Sequence, residues 1–468
     1  MSGPKHSCGV LGLALHEDAV QSAYKALRII QHRGQENAGL SVFDGVTINT
    51  EKGVGLVHEV LTNYSLARLH GKTVIGHVRY STSGSKSEMN SQPIEVETKH
   101  GDIALAHNGD ITNAEELRDK YLTKGWAFLT DSDSEIIIRL LAKQINIHND
   151  PVKAIRNTMA EIDGAYSLTI LIGDKVYGVR DPYGFRPLCL GMLDNGYVIA
   201  SESAAIDVLR GDFIADVQPG EVVEMTAEGF RIYPAIVKEN HAHCMFEWVY
   251  FARPDSIMDG RESYHVRRNI GKILARECPA KADVVIPVPD SGRAHGIGYA
   301  EVSGIPYEEG FMKNRHVERT FIMPDQKKRE AGVMQKLNPI KSTIEGKRLV
   351  VVDDSIVRGT TLRKLVQMLR RAGAKEVHVR IGCPPIIAPC YYGVDMKSRD
   401  QFVATNRSVE EIAELITADS LGYISMQGLV EALDLPESDL CLACVNGKYP
   451  TNIPGETHRF QSRLSDEF

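Results

Sequence analysis

The chain has 468 residues, 43% hydrophobic and 25% charged, enough to bury the cores of two or three globular domains. A formal net charge of -7 argues against the broad basic surface that sequence-independent nucleic-acid binding requires. No apolar run approaches the roughly 18 residues that span a bilayer, and residues 1–7 lack the apolar core of a secretory signal, so the expected compartment is the cytoplasm, away from membranes.

In chain order, the first half alternates short β-type runs with a few helices. The pattern predicts strands over 9–15, 72–78, 103–106 and 166–172, and helices over 20–30, 114–122 and 135–145. This mixture suits stacked antiparallel sheets covered by helices. From about residue 281 an apolar run, a loop and a helix follow one another repeatedly, the grammar of a parallel α/β sheet. Its clearest unit is a strand over 348–352, a loop over 353–360 and a helix over 361–371, which Gly373 stops before a strand begins near Val377. No internal repeat or low-complexity tract occurs, and residues 455–468 read as a tail.

Cys8-Gly9-Val10 heads an apolar strand after seven small or polar residues. Removing residues 1–7 as a propeptide would leave a terminal cysteine, whose α-amine, with an ordinary pKa of about 8, can act as base for its own thiol. Four further segments follow in order: His32-Arg33-Gly34-Gln35-Glu36 after the first helix, His77-Val78-Arg79-Tyr80-Ser81-Thr82 at a strand end, His107-Asn108-Gly109 at another, and Ser132-Asp133-Ser134-Glu135 opening a helix. Together they resemble the N-terminal-nucleophile glutaminase domain of class II glutamine amidotransferases. The resemblance implies an αββα sandwich over 8–238 in which Cys8 attacks the glutamine side-chain amide. Asn108 and the Gly109 N–H would form an oxyanion hole, Arg79 would hold the substrate carboxylate and Asp133 its ammonium. His32, His77 and His107 read as packing or orienting residues.

The most specific string runs from Leu349 to Thr361: a strand ends in Asp353-Asp354, then Ser355, Arg358, Gly359, Thr360 and Thr361 lead into a helix. Backbone N–H groups at such a helix start can cradle a ribose 5-phosphate, with the carboxylates near ribose hydroxyls or a hydrated metal. It resembles the binding motif of type I phosphoribosyltransferases. A second strand end, Asp290-Ser291-Gly292-Arg293, suits pyrophosphate through backbone donors and the guanidinium. By resemblance, Ser291, Asp353 and Asp354 are the expected Mg2+ contacts.

Both sites in this order resemble the glutamine phosphoribosylpyrophosphate amidotransferase family. It implies the first step of de novo purine (IMP) synthesis, with glutamine and phosphoribosyl pyrophosphate as substrates, purine nucleotides as feedback inhibitors and a homo-oligomer. A phosphoribosyltransferase domain over 239–454 would include a loop over 324–338 that closes on substrate. Met334 stands there where relatives often carry arginine, leaving Lys327, Lys328, Arg329 and Lys336 as alternative pyrophosphate contacts. A ligand sensor without turnover is disfavoured by the complete glutaminase constellation, and a different ammonia acceptor by the Asp353-Asp354 loop.

The eight cysteines are too scattered for a secreted disulfide framework. Cys441-Leu442-Ala443-Cys444, with Cys244 and Cys390, matches the ligands of the iron-sulfur branch of the family, which implies a structural [4Fe-4S] cluster. Spacing alone also admits zinc, and Cys383 is the rival ligand; Cys189 and Cys278 read as packing residues.

Overall fold

The computed structural model describes residues 8–80, 88–236, 240–314, 337–396 and 398–454. In the first half, thirteen strands form two antiparallel sheets. They are β1 (Gly9–Leu15), β2 (Asn37–Phe43), β3 (Ile48–Val54), β4 (Thr73–Arg79), β5 (Ile94–Thr98), β6 (Gly101–Ile111) and β7 (Gly164–Ile172), followed by β8 (Lys175–Arg180), β9 (Cys189–Leu193), β10 (Gly196–Ala200), β11 (Asp212–Asp216), β12 (Val222–Met225) and β13 (Phe230–Tyr233). One sheet has the order β11-β9-β10-β1-β4-β2-β3 and the other β13-β12-β8-β7-β6-β5.

Strand β1 shows how the sequence builds the layers. Val10 and Ala14 point into the apolar layer between the sheets, with Ala104, Leu171 and Val223. Leu11, Leu13 and Leu15 point the other way, onto Ala23 and Leu27 of the helix Val20–Ile29. This period-2 alternation requires cover on both faces. The second sheet is covered by Asp133–His148, Pro151–Glu161 and Ala114–Leu122, through residues such as Leu140, Ile155 and Tyr121. Helix, sheet, sheet and helix give the four-layer sandwich expected. Ser132 caps Asp133–His148, its hydroxyl accepting from the Ser134 N–H at 3.3 Å. Asn149 ends that helix in a left-handed conformation, φ 48°.

The second half is built on a parallel sheet in the order Val284–Pro287, Arg348–Asp353, Glu376–Ile381 and Ser420–Tyr423. Its two central strands are almost wholly buried, as α/β strands covered on both faces must be. The short pair His243–Cys244 and Leu440–Cys441 runs parallel and returns the C-terminal segment to the junction between the halves.

Most expected elements match within a few residues; 9–15 and 114–122 match at both ends. Two differ instructively. The strand expected over 103–106 is the longer β6, so Asn108-Gly109 lies inside a strand rather than at its end. Pairing with β7 continues through Asn108↔Ser167 and Gly109↔Tyr166 to Ile111↔Gly164. The helix expected over 135–145 begins at Asp133, because its cap is Ser132. The propeptide, Ser81, Thr82, the loop cations Lys327, Lys328, Arg329 and Lys336, Met334 and the tail lie outside the described residues.

Candidate active sites

Antiparallel pairing of Gly9 with Val78 brings the start of β1 beside the end of β4, so Cys8 and Arg79 meet at one edge of the sandwich. Gly109 and Asp133 complete a narrow pocket with them, together with Gln92 and His107. The Cys8 thiol is buried and donates to the Tyr80 carbonyl at 3.4 Å. Burial pushes its pKa up; the Tyr80 hydrogen bond and the Arg79 charge work against that rise, and Asp133 adds to it. The resting group is therefore a thiol that needs a base.

Asn108 is fully buried, yet neither its side-chain nitrogen nor its oxygen has a hydrogen-bond partner. Leaving an amide so costs about 1–3 kcal/mol per group, a cost that a bound oxyanion would remove. The neighbouring Gly109 adopts φ 150°, and a Cβ there would lie 2.0 Å from the Ala165 carbonyl oxygen. Only glycine can hold that backbone in the pocket wall. Asp133, the first residue of its helix, accepts from the Ile111 N–H at 3.1 Å.

The three histidines take orienting contacts. His77 Nε2 lies 2.9 Å from the His107 carbonyl, and burial pulls its pKa down to about 3, so it is neutral and donates there. His107 Nδ1 meets the Ser134 hydroxyl at 3.1 Å, and His32 Nε2 meets Glu202 at 2.8 Å.

Sequence reasoning missed the support beneath Cys8. Arg33 donates from Nε to the Cys8 carbonyl at 2.9 Å, and its fork binds Glu202 at 2.6 Å and Glu247 at 2.8 and 2.9 Å. Arg186, also fully buried, binds Glu247 at 2.9 Å. The only hint in the sequence was the place of Arg33 between His32 and Gly34; Glu202, Glu247 and Arg186 looked like any surface charges.

In the second half, Asp353 and Asp354 stand at the end of the central strand, each 2% exposed. Burial raises the Asp354 carboxyl, while hydrogen bonds from Ser291 and Ser355 and the charge of Arg267 hold it down. The structure thus brings the two expected loops together at Ser291 and Asp354. Arg267 was not anticipated. It is buried beneath this pair with its fork on the Trp248 and Ala252 carbonyls at 2.7 Å, and burial lowers its pKa to about 10, still cationic at neutral pH. Gly359 caps Thr360–Arg371 with φ 73°, leaving the N–H groups of Thr360 and Thr361 at the helix start. Arg358 is exposed and bonded to Gln401, and Gly292 opens the helix Gly292–Ser303. Arg293 pairs with Asp290 at 3.2 Å and Glu309 at 3.2 Å, and Lys313 also pairs with Asp290. These half-buried cations would have to exchange partners to meet a pyrophosphate.

The four cysteines expected to act together converge from three segments. Cys244 and Cys441 are paired in register, the Cys390 sulfur accepts from the Tyr392 N–H at 3.4 Å, and the Cys444 carbonyl accepts from Ile387 and Ala388. Burial raises all four thiols; Cys441 feels the charges of Cys244 and Cys390, and Cys444 those of Cys441, Cys390 and Cys244. Cys383 acts on Cys444 more strongly than any of the other three. The Arg186 charge favours the thiolates of Cys244 and Cys390. A soft donor set, buried except for the half-buried Cys390, with an adjacent cation fits an anionic thiolate-ligated group. Among the described residues, no three His, Cys, Asp or Glu are placed to hold a single metal ion.

The Glutamine amidotransferase domain family matches residues 77–208, and the Phosphoribosyl transferase domain family matches residues 255–383. The chain is 49% identical to an amidophosphoribosyltransferase of Methanocaldococcus jannaschii, over 95% of this chain and 98% of the relative. It is 50% identical to one of Archaeoglobus fulgidus, over 96% and 99%. It superposes with a TM-score of 0.89 on the glutamine phosphoribosylpyrophosphate amidotransferase of Bacillus subtilis complexed with ADP and GMP, at 44% identity, covering 96% of this chain and 98% of that one. With these relatives spanning nearly its whole length, and with both sites assembled as described, the chain belongs to the amidophosphoribosyltransferase family.

Proposed function

We propose that this amidophosphoribosyltransferase releases ammonia from glutamine at Cys8 and delivers it to C1 of phosphoribosyl pyrophosphate, the first step of de novo purine synthesis. The observation that carries this reading is the joint presence, in one chain, of the Cys8 pocket with its unpartnered Asn108 amide and of the buried Asp353-Asp354 pair.

In the first half-reaction, Sγ attacks the amide carbon and the α-amine of a chain starting at Cys8 accepts the thiol proton. The oxyanion rests on the Asn108 amide and the Gly109 N–H, which are fixed before substrate arrives. The proton passes to the leaving nitrogen, ammonia departs, and water hydrolyses the thioester to glutamate. Arg79 and Asp133 bind the two ends of the free amino acid. In the second, the N–H groups of Gly359, Thr360 and Thr361 hold the 5-phosphate, Asp353 and Asp354 the ribose hydroxyls, and Arg293 the pyrophosphate. Ammonia forms the C1–N bond as the C1–O bond breaks and pyrophosphate leaves; the ammonium then loses a proton. Mg2+ held near Asp353, Asp354 and Ser291 would neutralise pyrophosphate charge.

Cys244, Cys390, Cys441 and Cys444 suit a structural [4Fe-4S] cluster, which pins the C-terminal segment to the body. The relative complexed with ADP and GMP supports feedback inhibition by purine nucleotides. A cytoplasmic homo-oligomer completes the reading; among the described residues no helix is long and apolar enough to cross a membrane.

Amide-15N glutamine tests the proposal. The label should appear in the ribosylamine product, and intact mass should show a chain beginning at Cys8. Label recovered only as free ammonia, with phosphoribosyl pyrophosphate unconsumed, would overturn it.

A further inference from the structure

A buried train of contacts joins the cysteine-bearing segment to the glutaminase pocket. Tyr392, two residues after Cys390, offers its carbonyl to Arg186, which donates from Nη2 at 2.7 Å and Nε at 3.2 Å. The same guanidinium donates from Nη1 to Glu247, whose carboxylate accepts from Arg33, whose Nε holds the Cys8 carbonyl. Arg33, Arg186 and Glu247 are each at most 2% exposed, so water cannot replace a lost partner.

A second, independent contact reaches the same pocket from the next residue. Gly393 adopts φ 98°, and a Cβ there would lie 2.9 Å from the Gly109 carbonyl carbon and 3.1 Å from its Cα. The segment therefore touches the Gly109 backbone directly. A further side chain, Tyr392, stacks on Phe185 with ring centroids 4.1 Å apart, beside Arg186 in sequence. One short stretch, 390–393, thus carries a cysteine, a carbonyl acceptor for Arg186 and the backbone against Gly109.

We propose that Arg186 and Gly393 are positioning residues through which the 390–393 segment sets the geometry of Cys8 and Gly109. Glutamine use then depends on how that segment is held, whereas synthesis from free ammonia does not. The physical ground is the tolerance of the chemistry. Displacing an oxyanion donor or a nucleophile by about 1 Å costs on the order of a hundredfold in rate. Neither residue reaches the substrate: Gly393 acts through Gly109, and Arg186 acts on Cys8 through Glu247 and Arg33. The inference rests on the reading of Cys8 and Gly109 given above.

The test uses full-length holoenzyme carrying Gly393→Ala or, separately, Arg186→Lys. Lysine keeps the charge but cannot serve Glu247 and the Tyr392 carbonyl with one planar fork. Five quantities are read: kcat and KM for glutamine, kcat with added ammonia, iron per chain, and the rate at which a glutamine-like chloroketone alkylates Cys8. In both variants the glutamine kcat and the alkylation rate should fall about ten- to a hundredfold. Glutamine KM, the ammonia rate and the iron content should stay within about twofold. A parallel fall of both activities, loss of iron before any loss of glutamine use, or unchanged glutamine kcat would each overturn the proposal. If Gly393→Ala does not fold, Arg186→Lys decides. Failure of the underlying reading looks different: Cys8→Ala would then keep its glutamine activity.

Discussion

Arg33 holds the main-chain carbonyl of Cys8 at 2.9 Å, so the nucleophile is fixed through its backbone by a guanidinium that is itself locked between Glu202 and Glu247. The pair explains why an arginine with 1% exposure belongs at the foot of a glutaminase pocket. Arg33→Met should leave two buried carboxylates short of a partner and destabilise the protein by about 3–5 kcal/mol. Urea unfolding measures this; a midpoint equal to that of the unaltered protein would show that the network carries no stability.

The same network sets a pH dependence. Burial acts to raise the Glu202 carboxyl, but the charges of His32 and Arg33 and their hydrogen bonds overcome it, and the group lies far below its ordinary 4.5. A carboxyl depressed in the folded state contributes stability that is full above its unfolded pKa and is lost as the pH falls below it. Unfolding midpoints should therefore drop as the pH falls below about 4.5. Glu202→Gln should be less stable at pH 7 but lose less on acidification. Equal acid slopes for the two proteins would contradict the assignment.

Asn108→Ala should remove one oxyanion donor and lower the glutamine kcat by roughly 10²- to 10³-fold with little change in KM. Arg79→Lys should instead raise KM, because it weakens ground-state and transition-state binding alike. Steady-state kinetics separates the two patterns; a change confined to KM in Asn108→Ala would remove Asn108 from the oxyanion hole.

Much of this was legible in the sequence because local periodicity and local function coincide. Gly9–Leu15 is a continuous apolar run buried at every position, and the Asp353-Asp354 string lies on one strand-loop-helix unit. What was illegible depends on long-range pairing. Glu247 lies 214 residues from Arg33, and nothing in the sequence distinguishes a buried arginine from a surface one. Asn108-Gly109 looked like a turn ending a strand, since Asn-Gly favours turns. Pairing with β7 through Gly109↔Tyr166 overrides that local preference. Cys383 stayed ambiguous for a similar reason: its closeness to Cys444 comes from the return of the C-terminal segment, not from spacing.

Anaerobically purified protein should be brown and hold about four irons per chain. Cys441→Ser with Cys444→Ser should abolish iron binding and unpin the C-terminal segment, leading to aggregation on exposure to air. Iron analysis and light scattering follow this. Stoichiometric zinc in the unaltered protein, or iron retained in the double variant, would count against the cluster.

The central claim is that two separate sites work as one enzyme, and the release of glutamate and pyrophosphate in a single reaction tests it most directly. With glutamine and phosphoribosyl pyrophosphate together, the two products should appear in equal amounts. Cys8→Ala should make pyrophosphate only when ammonia is supplied, and Asp353→Asn with Asp354→Asn should make almost none from either nitrogen source. Glutamate release unaccompanied by pyrophosphate, or glutamine-driven pyrophosphate release persisting in Cys8→Ala, would contradict the account.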